Sequence, residues 1–200
     1  MADGADYWEQ QAPSFDDAPD HGLRDPVVRG AWGSLLMPLL PPAPARVADL
    51  GCGTGSLAVL LAEAGYTMTG IDVSAGMIER ARDKAAAKGL RVDLAVGDAS
   101  RPPCADESFD VVLCRHVLWA LEDHAAALRE WGRILRPTGR LILIEGRWWT
   151  GAGLPAATIL VLLTAIGRSA TVLHLDDPQL WGMEISDERY VVLSPAAPPA

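Results

Sequence analysis

Val47 to Ser56 reads VADLGCGTGS, an acid followed by glycines at positions 51, 53 and 55. Glycines at a strand-to-helix junction take positive φ and let the backbone approach a ligand closely. The helix that follows offers free N–H groups. A dinucleotide fingerprint needs its third glycine at position 56, where this chain has Ser56. The spacing is therefore GxGxG, and a pyrophosphate is not the expected ligand. Two further acids follow. Asp72 closes TGID, 21 residues after Gly51, where a carboxylate can accept from both hydroxyls of a ribose. Asp98, in Gly97-Asp98-Ala99, ends a third apolar segment and can accept from an exocyclic adenine amine. Each acid alone reads equally well as a helix cap or a loop residue. Asp49, Asp72 and Asp98 together fall at the carboxyl ends of three successive strands, the edge of an open sheet where ligands sit.

A second cluster could move protons. In LCRHVLWALED, Leu113 to Asp123, the pair Arg115-His116 breaks an apolar run. His116 is one candidate base, and His21, in APDHGLRDP, is the other. Asp20 and Glu145 are lesser candidates, Glu145 also as a partner for a substrate amine or for Arg147. For each, a loop group that only meets water or backbone is the competing reading. The chain has seven tryptophans. Trp8, Trp119, Trp148, Trp149 and Trp181 fall in or near loops at one end of the sheet. They suggest an apolar acceptor pocket, with Trp119, Glu145, Trp148 and Trp149 as its wall. Ordinary core packing explains any one of them as well.

The elements that must position these groups alternate. Strands are expected at Arg46–Leu50, Thr67–Asp72, Arg91–Val96, Asp110–Cys114 and Arg140–Glu145. Helices are expected at Leu57–Ala64, Ala75–Lys88, His124–Leu135 and Leu154–Ile166, with Ser74 capping the second and Gly65, Gly89 and Gly139 as stops. Such alternation means βαβ units and a mostly parallel sheet. Thr171–Leu175 and Tyr190–Leu193 are strands with no helix between them, so the last should run antiparallel near an edge. Residues 1–45 differ in composition: prolines, an acidic cluster, and helices at Asp6–Ala12 and Pro26–Leu39. They read as a helical arm, or lid, on a domain spanning 46–195. The terminal SPAAPPA reads as a frayed tail.

Composition narrows the partners. Half the residues are hydrophobic, enough for one globular domain with a core. The net charge of −9 argues against a surface for nucleic acid or anionic membrane. The longest apolar run, Leu154–Ile166, is too short to span a bilayer. The N-terminus, MADGADYWEQ, lacks a secretory pattern. Cys52, Cys104 and Cys114 match no zinc spacing, so no metal is expected, and reduced cysteines suit a cytoplasmic enzyme. A monomer or a homodimer is compatible with all of this.

VADLGCGTG, GIDVSAGMIERAR, VGDASRPPCADESFDVVLCRHVLWAL and ILRPTGRLILIEG together resemble the class I S-adenosylmethionine-dependent methyltransferases. The resemblance is to the small-molecule group that includes the ubiquinone and menaquinone methyltransferases, and it covers about Arg46 to Gly146. It implies a Rossmann-like seven-stranded sheet of order 3-2-1-4-5-7-6 with strand seven antiparallel. It implies S-adenosylmethionine as cofactor, S-adenosylhomocysteine as product and a small-molecule acceptor. By position, Gly51, Gly53 and Gly55 would line the methionine moiety and Asp49 would steady the loop or reach its amino group. Asp72 would bind the ribose diol, Val73 and Met77 would pack on adenine, and Asp98 and Ala99 would fix its amino end. Cys114 and Arg115 would border the sulfonium, and Tyr7 and Trp8 would close over it. No NPPY or DPPY follows strand four, so methylation of DNA-base amines is not expected. Pro103-Cys104 follows strand three, the wrong strand for cytosine chemistry. The acceptor could present O or N, or instead a quinone-like carbon or a protein side chain. A cofactor-binding subunit without turnover is the reading from outside enzymology.

Overall fold

The computed structural model describes residues 4–196; positions 1–3 and the last four residues of the SPAAPPA tail lie outside the described residues. One mixed sheet holds β1 (Arg46–Leu50), β2 (Thr67–Asp72), β3 (Asp93–Val96), β4 (Phe109–Arg115), β5 (Leu135–Arg147), β6 (Thr171–His174) and β7 (Glu188–Ser194). Their order is β3-β2-β1-β4-β5-β7-β6, as expected. Strands β1 to β5 pair in parallel, and β7 runs antiparallel between β5 and β6.

The central strands are apolar throughout because both faces are covered. Neighbouring side chains point to opposite faces. Val47, Val111, Leu113, Ile142 and Ile144 join one core with Trp32, Leu36, Leu57 and Leu61. Ala48, Val112, Cys114, Leu141 and Leu143 join the other with Leu128, Trp131, Ile159 and Leu163. The helices are α1 (Gly4–Gln11), α2 (Pro19–Gly22), α3 (Pro26–Leu36), α4 (Ser56–Glu63), α5 (Ala75–Ala87), α6 (His124–Ile134) and α7 (Ala156–Ala165), of which α3, α4, α6 and α7 supply those partners. Ser74 caps α5 by accepting from the Met77 amide, and Asp123 caps α6 by accepting from the Ala126 amide.

Most boundaries lie within two residues of the sequence reading, and three differences are larger. The N-terminal segment has a third short helix, α2, whose four residues carry no apolar stripe and start on Pro19. Helix α3 stops at Leu36, and Met37–Leu39 tightens into a 3-10 turn around Pro38. Strand β5 starts immediately after α6, with a register irregularity opposite Phe109 and Val111 that absorbs Pro137 and Gly139.

The chain runs outward from β1 to β3 and then crosses back to β4. That reversal opens a crevice at the carboxyl ends of β1 and β4, the position where open α/β sheets hold ligands.

Candidate active site

A cavity of about 260 Å³ occupies this crevice. The end of β1 contributes Asp49, the turn after it Gly51 and Gly53, and the end of β2 Asp72 with Val73 next to it. Met77 enters from α5, and Asp98 and Ala99 from the turn after β3. Arg115 and His116 enter from the end of β4, and Trp8 and His21 from the N-terminal helices. Phe15, Cys52, Leu57 and Val117 also line it, and no sequence signal singled them out.

The floor is acidic and tightly held. Asp49 is buried, and its Oδ2 has no hydrogen-bond partner. Burial pushes its carboxyl up to about 7, with Arg115 pulling it down and Asp72 adding to the rise. Asp72 accepts from the Gly53 amide at 2.8 Å and from the Ser74 amide at 3.0 Å. Burial raises its pKa too, and those amides hold the rise in check. The Val73 amide also lies against this carboxylate, and about four acceptor sites leave it capacity for a ligand hydroxyl. Asp98 is exposed, and its two oxygens accept from the Ser100 amide and hydroxyl at 2.8 Å. Gly55 lies behind the cavity. Its φ is +73°, and a Cβ there would sit 2.8 Å from that of Ala81, so this glycine serves the packing of α4 on α5.

The end of β4 is fixed by aromatic and carboxyl groups. His116 has φ +59°, rare for a residue with a side chain. Its ring stacks on Trp181 at 5.9 Å and meets the edge of Trp148 at 5.2 Å. Its Nε2 is buried without a partner. Burial, with Arg115 next, holds its pKa well below the usual range, so the imidazole is neutral and weakly basic. Burial also lowers His21, with Asp20 opposing. Arg115 donates to the Asp20 carbonyl at 2.6 Å, and its guanidinium lies 5.0 Å over the Trp32 ring.

Several expected wall residues stand elsewhere. Glu145 is fully buried under the β4 turn, where one oxygen accepts from the Val117 amide at 3.0 Å and the Leu118 amide at 2.7 Å. Burial raises its pKa to about 8, so it is a neutral acid supporting the loop, not a wall of the cavity. Glu145→Gln should therefore leave stability near wild type. Glu145→Ala strands two amides beside a void and should cost about 2–4 kcal/mol in urea melts. Trp119 turns its Nε1 onto the His116 carbonyl at 2.9 Å. Trp148 packs on His116, Trp119 and Arg189, and Trp149 is 84% exposed. None of these three lines the cavity: Trp119 sits in the 3-10 turn after β4, and the Arg147–Gly153 loop doubles back on itself and seats Trp148 against His116. Cys114 is buried with its Sγ 4.0 Å from Glu145, away from the cavity. Tyr7 is exposed and touches the cavity only through the Trp8 ring, 5.0 Å away. Burial raises all three thiols, which disfavours nucleophilic chemistry at Cys52, Cys104 or Cys114.

The N-terminal helices are latched to the turns that hold the floor. Glu9 accepts from the Ser74 hydroxyl at 2.6 Å and the Gly76 amide at 3.0 Å. Asp16, buried, accepts from Thr54 and pairs with Lys84 at 3.0 Å. Lys84 also donates to Ser56 at 2.7 Å, so one ammonium ties α5, the glycine turn and the segment before α2 together.

This floor suits S-adenosylmethionine. A buried carboxyl keeps one free oxygen for a ligand's ammonium, a second acid can take a diol, and Val73 with Met77 offers an apolar shelf for a purine. Residues 48–143 match the family model described as "Methyltransferase domain". Demethylmenaquinone methyltransferase of Deinococcus radiodurans is 40% identical over 60% of this chain and 50% of its own length. Ubiquinone biosynthesis O-methyltransferase of Azorhizobium caulinodans is 35% identical over 70% of this chain and 57% of its own. The chain thus spans about half the length of these curated relatives. The crystal structure of the [4+2]-cyclase SpnF superposes with a TM-score of 0.73 at 25% identity, over 85% of this chain and 81% of that one. Other solved structures of this fold are S-adenosylmethionine-dependent methyltransferases. The glycine turn and its three acids lie inside the matched span, and there the chain is similar to a methyltransferase domain, carried on a sheet of order β3-β2-β1-β4-β5-β7-β6.

Proposed function

We propose that this chain transfers a methyl group from S-adenosylmethionine to an oxygen or nitrogen of a small acceptor in specialised metabolism, in the cytoplasm. The observation that carries this is Asp49, buried beside the glycine turn with its Oδ2 lacking a hydrogen-bond partner, where a ligand's positive charge would satisfy that oxygen. When bound, the cofactor supplies an activated methyl on a good leaving group, so the protein's task is alignment and exclusion of water. The glycine turn and Asp72 would hold the donor. The helices of residues 4–36, latched through Glu9 and Asp16, would act as its lid and bring Trp8 and His21 over it. His116 and His21 border the remaining space and offer ring nitrogens to an acceptor O–H or N–H. A relative named as an O-methyltransferase of ubiquinone biosynthesis favours oxygen, and relatives named as demethylmenaquinone methyltransferases favour a quinone-like acceptor, with its carbon as the alternative.

A second reading has one observation behind it. A solved neighbour carries the name of a cyclase, so this fold can serve a reaction other than methyl transfer. Incubation with S-adenosylmethionine and a panel of phenols, quinols and amines separates the two. Acceptor-dependent release of S-adenosylhomocysteine is expected. Tight cofactor binding with an acceptor converted but no S-adenosylhomocysteine formed overturns the transferase reading.

A further inference from the structure

We propose that Asp20, His21 and His116 form a site for a divalent transition metal such as zinc, where the N-terminal helices meet the end of β4. One ligand atom from each residue lies within 4.8 Å of the other two. His21 Nε2 is already 3.6 Å from Asp20 Oδ2. Donors about 2.1 Å from a tetrahedral ion stand roughly 3.4 Å apart, so side-chain adjustments of about 1 Å close the set. Two imidazoles and a carboxylate are the donor types that zinc, iron and nickel take.

Three features favour an ion over a fortuitous cluster. The first is the orphaned Nε2 of His116, a buried lone pair that nothing in the protein satisfies. The second is orientation. His116 is held by its +59° backbone and the Trp181 stack, and His21 lies flat on Phe15 with ring centres 4.4 Å apart. Rings locked by packing are what a preorganised ligand set needs. The third is charge. The nearest cations have acids outside the set: Arg115 lies near Asp16 and Asp49 as well as Asp20, and Arg189 pairs with Asp187 at 2.8 Å. Asp20 and His21 lie 96 and 95 positions before His116, so no spacing pattern in the sequence reveals the set.

His21 and His116 both border the cavity. Three protein ligands would leave a fourth position to the cavity, the arrangement of catalytic rather than structural zinc. The ion would tie α2 to the sheet and could accept an oxygen ligand from the cavity side.

The test uses tag-free full-length protein, stripped with chelator and titrated with Zn²⁺ by calorimetry, without cofactor or acceptor. Metal binding is thus read independently of methyl transfer. One Zn²⁺ per chain is expected, and Co²⁺ should give the intense visible bands of a low-coordinate site. Asp20→Asn and His21→Gln should each weaken binding at least about tenfold, since even loss of an outer partner costs 10- to 100-fold. These two lie in the short α2 helix, and circular dichroism checks their fold. His116→Asn is secondary, because that residue is packed and strained. No stoichiometric Zn²⁺ binding, or binding unchanged in both Asp20→Asn and His21→Gln, overturns the proposal.

Discussion

Asp49→Asn should weaken S-adenosylhomocysteine binding by about 10- to 100-fold and remove its dependence on pH. Without a ligand, Asp49 is buried, its Oδ2 is unpaired, and its carboxyl titrates near 7 rather than near 3.8. An amino group placed beside it favours the ionised form. Binding must therefore expel a proton at any pH below that value. For the wild type, affinity should rise from pH 6 to pH 8 and level off above. Calorimetry in buffers of different ionisation enthalpy should show close to one proton released at pH 6. Asparagine keeps the shape and an acceptor oxygen but cannot ionise. Loss of a charge-assisted hydrogen bond, about 1.5–3 kcal/mol, sets the magnitude. A wild type whose affinity is flat with pH would falsify this role for Asp49.

The same shift acts on the fold with a definite sign. Asp49 and Glu145 both have folded pKa values above their unfolded ones, at about 7 and about 8. Between the unfolded and folded values the native state binds more protons than the unfolded chain. Stability is then full below about pH 4 for these two groups and falls as pH rises through 7 and 8. A functional floor built this way costs the empty protein stability at neutral pH. A cationic ligand returns some of it by giving the Asp49 charge a partner.

How much of this could be read from residues alone follows from where the information sits. The parallel βαβ build was legible because strands and helices alternate and because the glycine turn and Asp72 stand at fixed distances along one such unit, whereas the strand order came from the family resemblance. Local spacing carries such features. Contacts between distant segments left no such trace. Glu9 on Ser74, Asp16 on Lys84, and Asp20 with His21 beside His116 each join the first 25 residues to a later turn. Periodicity does not report which loop folds onto which. Loop direction was equally hidden: Trp148 and Trp149 are adjacent, yet one packs on His116 and the other faces solvent. Glu145 looked like a polar wall because its strand ends at the working edge. Only the coordinates reveal the two amides that turn it inward.

Gly51→Ala tests the most crowded point of the site. Gly51 has φ +71°, where an alanine costs about 1–2 kcal/mol. A Cβ there would lie 2.2 Å from Val117 Cγ2. Neither side can retreat freely. The Gly51 and Cys52 amides both donate to the Ile71 carbonyl, at 2.7 and 3.0 Å, which pins the turn to β2. The Val117 and Leu118 amides are held by Glu145. The turn must therefore distort, and the ligand-facing backbone moves with it. Cofactor affinity should fall by about 100-fold or more, since misplacement by an ångström has effects of that order. The melting temperature should drop by only a few degrees. The clash and the φ strain separate in a double-mutant cycle. Val117→Ala alone should bind cofactor nearly as well as wild type. Added to Gly51→Ala, it should recover about tenfold in affinity, because it removes the clashing methyls and leaves the strain. If the double variant recovers nothing, the backbone conformation alone accounts for the loss, and Val117 is not what requires a glycine at position 51.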